Sequence, residues 1–181
     1  MSEMPLSSGQ RDKGGELLPA LFNIVGTFIL LAVIASCLPI VVPQLMGYQV
    51  YNVVSGSMEP EIPVGSVIYV QEAAPETIEE GEVIAFRSED SVIAHRVVKN
   101  QRVEGEIRTK GDANAGEDMH AIAYYAVLGR VVKHYPMLGA VMEIYTSTVG
   151  KVYLILFASC GAMMNLLASR IRENRRERKS A

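Results

Sequence analysis

Among the side chains of this 181-residue chain that could do chemistry at neutral pH, Ser57 stands out by its setting. It lies in Val53-Val54-Ser55-Gly56-Ser57-Met58-Glu59-Pro60, where Gly56 allows close backbone approach and Pro60 and Pro63 stiffen the chain downstream. A backbone organised in this way can aim N–H groups at a developing oxyanion. A serine hydroxyl is nevertheless a poor nucleophile unless a base takes its proton. Three histidines could be that base: His95, His120 and His134. His95 falls in the strand-like run Ser91-Val92-Ile93-Ala94-His95-Arg96-Val97-Val98, on a rigid element suited to holding a base. A half-buried strand histidine satisfied by a backbone carbonyl would have the same neighbours. The third element is Lys110-Gly111-Asp112-Ala113-Asn114-Ala115-Gly116-Glu117-Asp118, a strand end running into a loop with three carboxylates. It lacks the alternating acidic ligands and terminal Glu of an EF-hand. Ordinary turn chemistry accounts for Asp112 and Asn114 equally well.

The elements that must position these residues are strands. Gln49 to Val54, Ser66 to Gln71, Glu82 to Arg87, Ser91 to Val98, Glu106 to Lys110 and Ala126 to Lys133 are short and rich in Val, Ile and Tyr. Gly65, Gly81, Gly105, Gly111 and Gly129 punctuate them, as tight turns or bulges require. Glu72 to Glu80 is expected as a loop. The fold class expected is mainly β: a small antiparallel domain over residues 44–143, its sheet closed or half-closed, flanked by two transmembrane helices.

The first helix is expected over residues 17–43, since Leu17 to Val42 contains no charged residue. Its 26 positions reach roughly 39 Å at about 1.5 Å per residue, enough for a hydrocarbon core of about 30 Å. The run exceeds the 7 to 15 apolar residues typical of a cleaved secretory signal. Pro19 suits the first turn, and Pro39 and Pro43 are expected to mark a fraying exit, because proline lacks the N–H that an interior turn requires. A second span is expected over residues 144–169, built on the uncharged run Val152 to Ser169, with Lys151 snorkelling its ammonium to the interface. The tail over residues 170–181 carries Arg170, Arg172, Arg175, Arg176, Arg178 and Lys179 against Glu173 and Glu177. By the positive-inside rule it is cytoplasmic, and so is the segment over residues 1–16 with Arg11 and Lys13. The middle of the chain is then extracytoplasmic, in a two-span protein of the cell membrane.

A formal net charge of −3 gives no support for a nucleic-acid partner, which would need a basic face. The two cysteines, Cys37 and Cys160, fall in the apolar spans, so no disulfide framework is expected. No Cys/His spacing suits a metal, and no cofactor is expected.

Together the boxes Ser55-Gly56-Ser57-Met58-Glu59-Pro60, Ala94-His95-Arg96-Val97, Lys110-Gly111-Asp112 with Asp118, and Leu128-Gly129-Arg130-Val131 resemble type I signal peptidases. The resemblance is to the Ser-His branch of the endoplasmic reticulum, archaea and Gram-positive spore formers. The common bacterial branch has a lysine as base, and the matching position here is His95. The resemblance implies that Ser57 is the nucleophile and His95 the general base. Asp118 would orient the imidazole, with Asp112 at a second acidic position of the family; either carboxylate could contact His95. It further implies an oxyanion hole from the Ser57 N–H and the Ser55 hydroxyl. The implied substrates are signal-peptide-bearing precursors, bound extended and cut after small residues at the positions one and three before the scissile bond. Strand addition beside Tyr51 to Val54 or Ile93 to His95 would hold such a peptide, and Val54, Met58 and Ile93 are candidate pocket residues. Ser57 follows Pro43 by 14 residues, within roughly 46 Å of the membrane exit even if extended. The lipid bilayer is a partner in this reading, and accessory membrane subunits are compatible with it. The rival reading is an inactive relative, serving as a membrane-anchored binding or scaffold protein for exported chains.

Overall fold

The computed structural model describes residues 13–89 and 91–180, so Arg11 and most of the segment over residues 1–16 lie outside it. The described chain forms two compact units: Leu38–Thr146, and the flanking parts of two long helices.

Leu38–Thr146 is built on one antiparallel sheet. Its strands are β1 (Gln49–Asn52), β2 (Val67–Gln71), β3 (Val83–Ser88), β4 (Ser91–Gln101), β5 (Glu106–Lys110), β6 (Ile122–Ala123) and β7 (Val127–Tyr135). They lie in the order β1-β2-β7-β3-β4-β5-β6, which leaves β1 and β6 at the edges of an open sheet. The strands expected from Val, Ile and Tyr content are present with shifted ends. β6 is only two residues long, too short for an alternation to announce it. β1 is bounded at Asn52 rather than Val54, although Val53 still bonds to the segment before β2, its N–H to the Ser66 carbonyl (2.8 Å) and its carbonyl to the Gly65 N–H (2.9 Å). The expected loop over residues 72–80 contains one 3₁₀ turn, Pro75–Thr77.

Three apolar clusters form on the faces of this sheet among the described residues, one of them around Val50, Val67 and Tyr69. Alternation along β3 divides its side chains: Ala85 joins Met58, Ile62, Ile68 and Val70, whereas Ile84 and Phe86 join Ile78, Val97 and Ile107. Strand β3 is therefore buried on both faces. The sheet bends at irregularities in the pairing, one of them between Ala85 and Phe86 opposite Gly129 of β7. A Cβ at Gly129, whose φ is +152°, would lie 2.1 Å from the Gln71 carbonyl oxygen. Only glycine fits there.

Helix α1 (Lys13–Leu45) runs through both Pro39 and Pro43, which corrects the expected fraying at these prolines. The reason is local. Pro43 has no N–H to give the carbonyl four residues earlier, that of Pro39. The Tyr69 hydroxyl donates to that same Pro39 oxygen at 2.6 Å. Burial, foremost, holds the Tyr69 phenol above its ordinary pKa, with a further contribution from Tyr135, whose ring lies 5.2 Å away.

A short helix, α2 (Gly139–Thr146), precedes α3 (Thr148–Ser180), which continues through the stretch expected as a basic tail. The helices of 33, 8 and 33 residues hold more of the chain than its strands do, so "mainly β" describes the sheet domain and not the whole chain. Leu17–Leu45 and Thr148–Arg178 are both long and apolar enough to cross a membrane, with mean hydropathies of 2.6 and 1.8. Side chains such as Leu21, Phe28, Leu31, Ile155 and Phe157 are exposed along them. A Cβ at Gly26 would lie 2.6 Å from the Gly161 carbonyl oxygen and 2.5 Å from Asn165 Oδ1, so the two helices meet at backbone distance.

Candidate active site

Ser57 belongs to the irregular segment that follows β1, beside Met58, which is only 2% exposed and anchors the segment in the core. The Ser57 carbonyl accepts from the Ala113 N–H at 2.9 Å. A Cβ on Gly111 would lie 2.6 Å from that same carbonyl oxygen, so the turn at Gly111 is in backbone contact with the serine. Ser55 Oγ and Ser57 Oγ are 3.4 Å apart.

His95 sits in the middle of β4 opposite Ile84, buried, its ring steeply inclined (71°) to that of Phe86 at a centroid distance of 6.1 Å. Its Nδ1 lies 2.6 Å from Asp118 Oδ2. The same Oδ2 accepts from the Thr109 hydroxyl at 2.6 Å, and the Asp118 N–H donates to the Thr109 carbonyl at 2.9 Å. The carboxylate thus returns from the loop after β5 to the strand it left.

Asp112 is elsewhere engaged. Arg96 Nε and Nη2 donate to its two carboxylate oxygens at 2.8 and 2.6 Å, a two-pronged pair, while Arg96 Nη1 donates to the Gly81 carbonyl at 2.8 Å. The hydrogen bonds to Asp112, ahead of the Coulomb attraction of Asp112 and Glu61 and against partial burial, raise the Arg96 pKa above its ordinary value. Between the two carboxylates left open above, the contact with His95 is made by Asp118.

Ser57 and His95 share no direct hydrogen bond among the described residues. What joins the two halves is the loop after β5: its Ala113 N–H holds the serine, and its Asp118 holds the histidine. A small cleft of about 70 Å³ opens beside Ser55 and Ser57. Val54, Met58 and Ile93 all line it, with Ile62 and Ile68 in its floor and Ala94 on the β4 side. Val54 is exposed, whereas Met58 also belongs to the core and Ile93 packs against the cluster around Phe86. Two strand edges flank this region: β1 pairs on one side with β2, and Ser91–His95 pair with β3 but lie beyond the reach of β5, whose ladder begins at Arg96.

Arg96, Gly111 and Thr109 were not singled out as site residues from sequence. A signal for Thr109 does exist in the alternation of β5, where the threonine occupies an inward position two residues from Ile107.

A model of the family described as Peptidase S24-like matches residues 41–132, half of the chain and all of the site. The chain belongs to this family. Signal peptidase I W of Bacillus subtilis (strain 168) is 38% identical to it over 80 residues, 42% of each chain. The signal peptidase complex catalytic subunit SEC11C of Homo sapiens is 38% identical over 71 residues, 36% of this chain and 37% of the relative; SEC11C of Mus musculus matches to the same extent. Both relatives are signal peptidases by name, and together with the family match they support a likeness of the chain to the type I signal peptidases. It matches about two-fifths of the length of the curated relatives.

Proposed function

We propose that the chain is a membrane-bound serine endopeptidase that removes signal peptides from exported precursors, using Ser57, His95 and Asp118 at the outer membrane surface. The observation that carries this reading is the 2.6 Å contact between His95 Nδ1 and Asp118 Oδ2. A carboxylate on Nδ1 keeps the proton on that nitrogen and leaves Nε2 with a lone pair to accept the serine proton. An inactive scaffold has no need of a buried imidazole oriented in this way.

In the proposed reaction Ser57 Oγ attacks the scissile carbonyl carbon and its proton passes to His95 Nε2. Charge developing on the carbonyl oxygen meets the Ser57 N–H, with the Ser55 hydroxyl as second donor. The tetrahedral intermediate collapses as His95 gives its proton to the leaving amine, and Asp118 stabilises the imidazolium in between. Water, deprotonated by His95, then releases the acyl group from Ser57. A nucleophile and base not yet in hydrogen-bond contact are compatible with this, since such bonds often tighten only around bound substrate. Asp112 supports the site through Arg96 rather than through His95.

Substrate selection is proposed to rest on the cleft beside Ser57. An extended peptide adding to the free edge of β1 or of Ser91–His95 would direct alternate side chains at that cleft. The small size of this cleft, about 70 Å³, supports a preference for small side chains. The proposed topology has two spans, both ends cytoplasmic and residues 44–143 extracytoplasmic. It is supported by the Arg- and Lys-rich end of α3.

The test is cleavage of a secretory precursor by the purified protein in detergent or liposomes. Ser57→Ala and His95→Ala should each lower the rate by three or more orders of magnitude, in line with loss of one member of such a set. Unchanged processing by either variant would overturn the peptidase assignment.

A further inference from the structure

Thr109 is fully buried, and among the described residues its hydroxyl has one partner: Oδ2 of Asp118, the oxygen that faces His95 Nδ1. On β5, Thr109 lies opposite Val97 of β4, and His95 is two residues before Val97 on the same strand. Alternation puts His95, Val97 and Thr109 on one face, so Thr109 is the diagonal cross-strand neighbour of the imidazole. Its backbone carbonyl also takes the Asp118 N–H, so one residue grips Asp118 at both main chain and side chain.

We infer that Thr109 is a positioning residue that selects which oxygen of Asp118 meets His95. This rests on the reading of His95 as general base. Asp118 comes from a loop, and a carboxylate on a loop can turn about its side-chain torsions. Thr109 comes from a strand, and its β-branched side chain is stiff about χ1. With the hydroxyl as donor, Oδ2 is pinned between two donors, Thr109 Oγ1–H and His95 Nδ1–H. Without it, Oδ2 keeps His95 Nδ1–H alone, and the half-buried carboxylate is freer to turn about its side-chain torsions and off the imidazole. The catalytic consequence lies in the chemical step: a histidine free to rotate or to exchange tautomers is present as the productive base for less of the time.

The experiment compares the full-length protein with Thr109→Val, Thr109→Ser, Asp118→Asn and the Thr109→Val/Asp118→Asn double variant. A precursor peptide is cleaved with enzyme in excess, so that slow variants are still read. Thr109→Val keeps the shape and removes the donor; kcat should fall roughly 10- to 100-fold, the range for a hydrogen bond to a charged group, with KM nearly unchanged. Thr109→Ser restores the donor and should recover most of the rate. In the Asp118→Asn background, Thr109→Val should add less than about 2-fold, because the residue through which it acts is already impaired. An equal penalty in both backgrounds, or a serine variant no better than valine, would mean that Thr109 only packs the strand. Full activity of Thr109→Val alongside dead Ser57→Ala and His95→Ala removes the inference and leaves the peptidase reading intact. Active Ser57→Ala or His95→Ala removes that reading instead. If Thr109→Val fails to fold, Thr109→Ala takes its place in both backgrounds.

Discussion

At the scale of residues, Asp112 and Asp118 carry the same group six positions apart and are committed to different neighbours. Asp112 is occupied by the two-pronged Arg96 contact, which leaves Asp118 for His95. A histidine base must be neutral to accept the serine proton. Cleavage should therefore decline as the pH is lowered into the acid range. A flat rate profile across that range, on a protein shown to stay folded, would argue against His95 as base. Gly111 makes a second prediction at this scale. In Gly111→Ala the new Cβ meets the Ser57 carbonyl oxygen at 2.6 Å, and this atom is backbone that cannot rotate away. The displaced serine should cost about 100-fold in kcat, the order expected for a misplacement near 1 Å. Thermal melting of the same preparation checks that the domain itself survives.

At the scale of elements, β4 and β5 carry the base and its supports, while the segment after β1 carries the nucleophile. The loop from Gly111 to Asp118 ties them together. The continuous α1 has an equally local cause. Tyr69 of β2 supplies the hydrogen bond that Pro43 denies to the Pro39 carbonyl. Tyr69→Phe should leave that part-buried acceptor without this donor and destabilise the Leu38–Thr146 unit by about 1 kcal/mol. The raised phenol pKa gives this stabilisation a pH window. It is fully present below the unfolded tyrosine value of about 10 and is lost as pH rises through the higher folded value. The difference between wild-type and Tyr69→Phe melting temperatures should accordingly narrow in strongly alkaline buffer. A constant difference would mean that Tyr69 contributes by packing alone.

At the scale of the whole molecule, two helices able to span a bilayer flank the sheet domain in sequence. The proposed topology predicts that protease added outside intact cells or right-side-out vesicles cuts within residues 44–143 and spares the Arg-rich end of α3. Digestion of that end with the sheet domain protected would invert the orientation, and the enzyme would then be separated from the signal peptides it is proposed to cut.

Composition and pattern alone were sufficient for the apolar spans and for most strands, because a hydrophobic run and an alternation are properties of consecutive residues. Ser57, His95 and the acidic loop could be named as candidates for the same reason, since they lie in short local boxes. Other features depend on residues far apart in the chain. Whether Asp112 or Asp118 would reach His95 was open in the sequence, since it turns on Arg96 claiming one of them across 16 positions. That Pro39 and Pro43 would not end α1 depended on a tyrosine 30 residues away. The engagement of Thr109 with Asp118 likewise required β5 to pair with β4 and the following loop to fold back. Local pattern determines which groups are available for chemistry; the tertiary structure decides which of them share a hydrogen bond, because a donor of fixed valence can satisfy only the acceptor that folding brings to it.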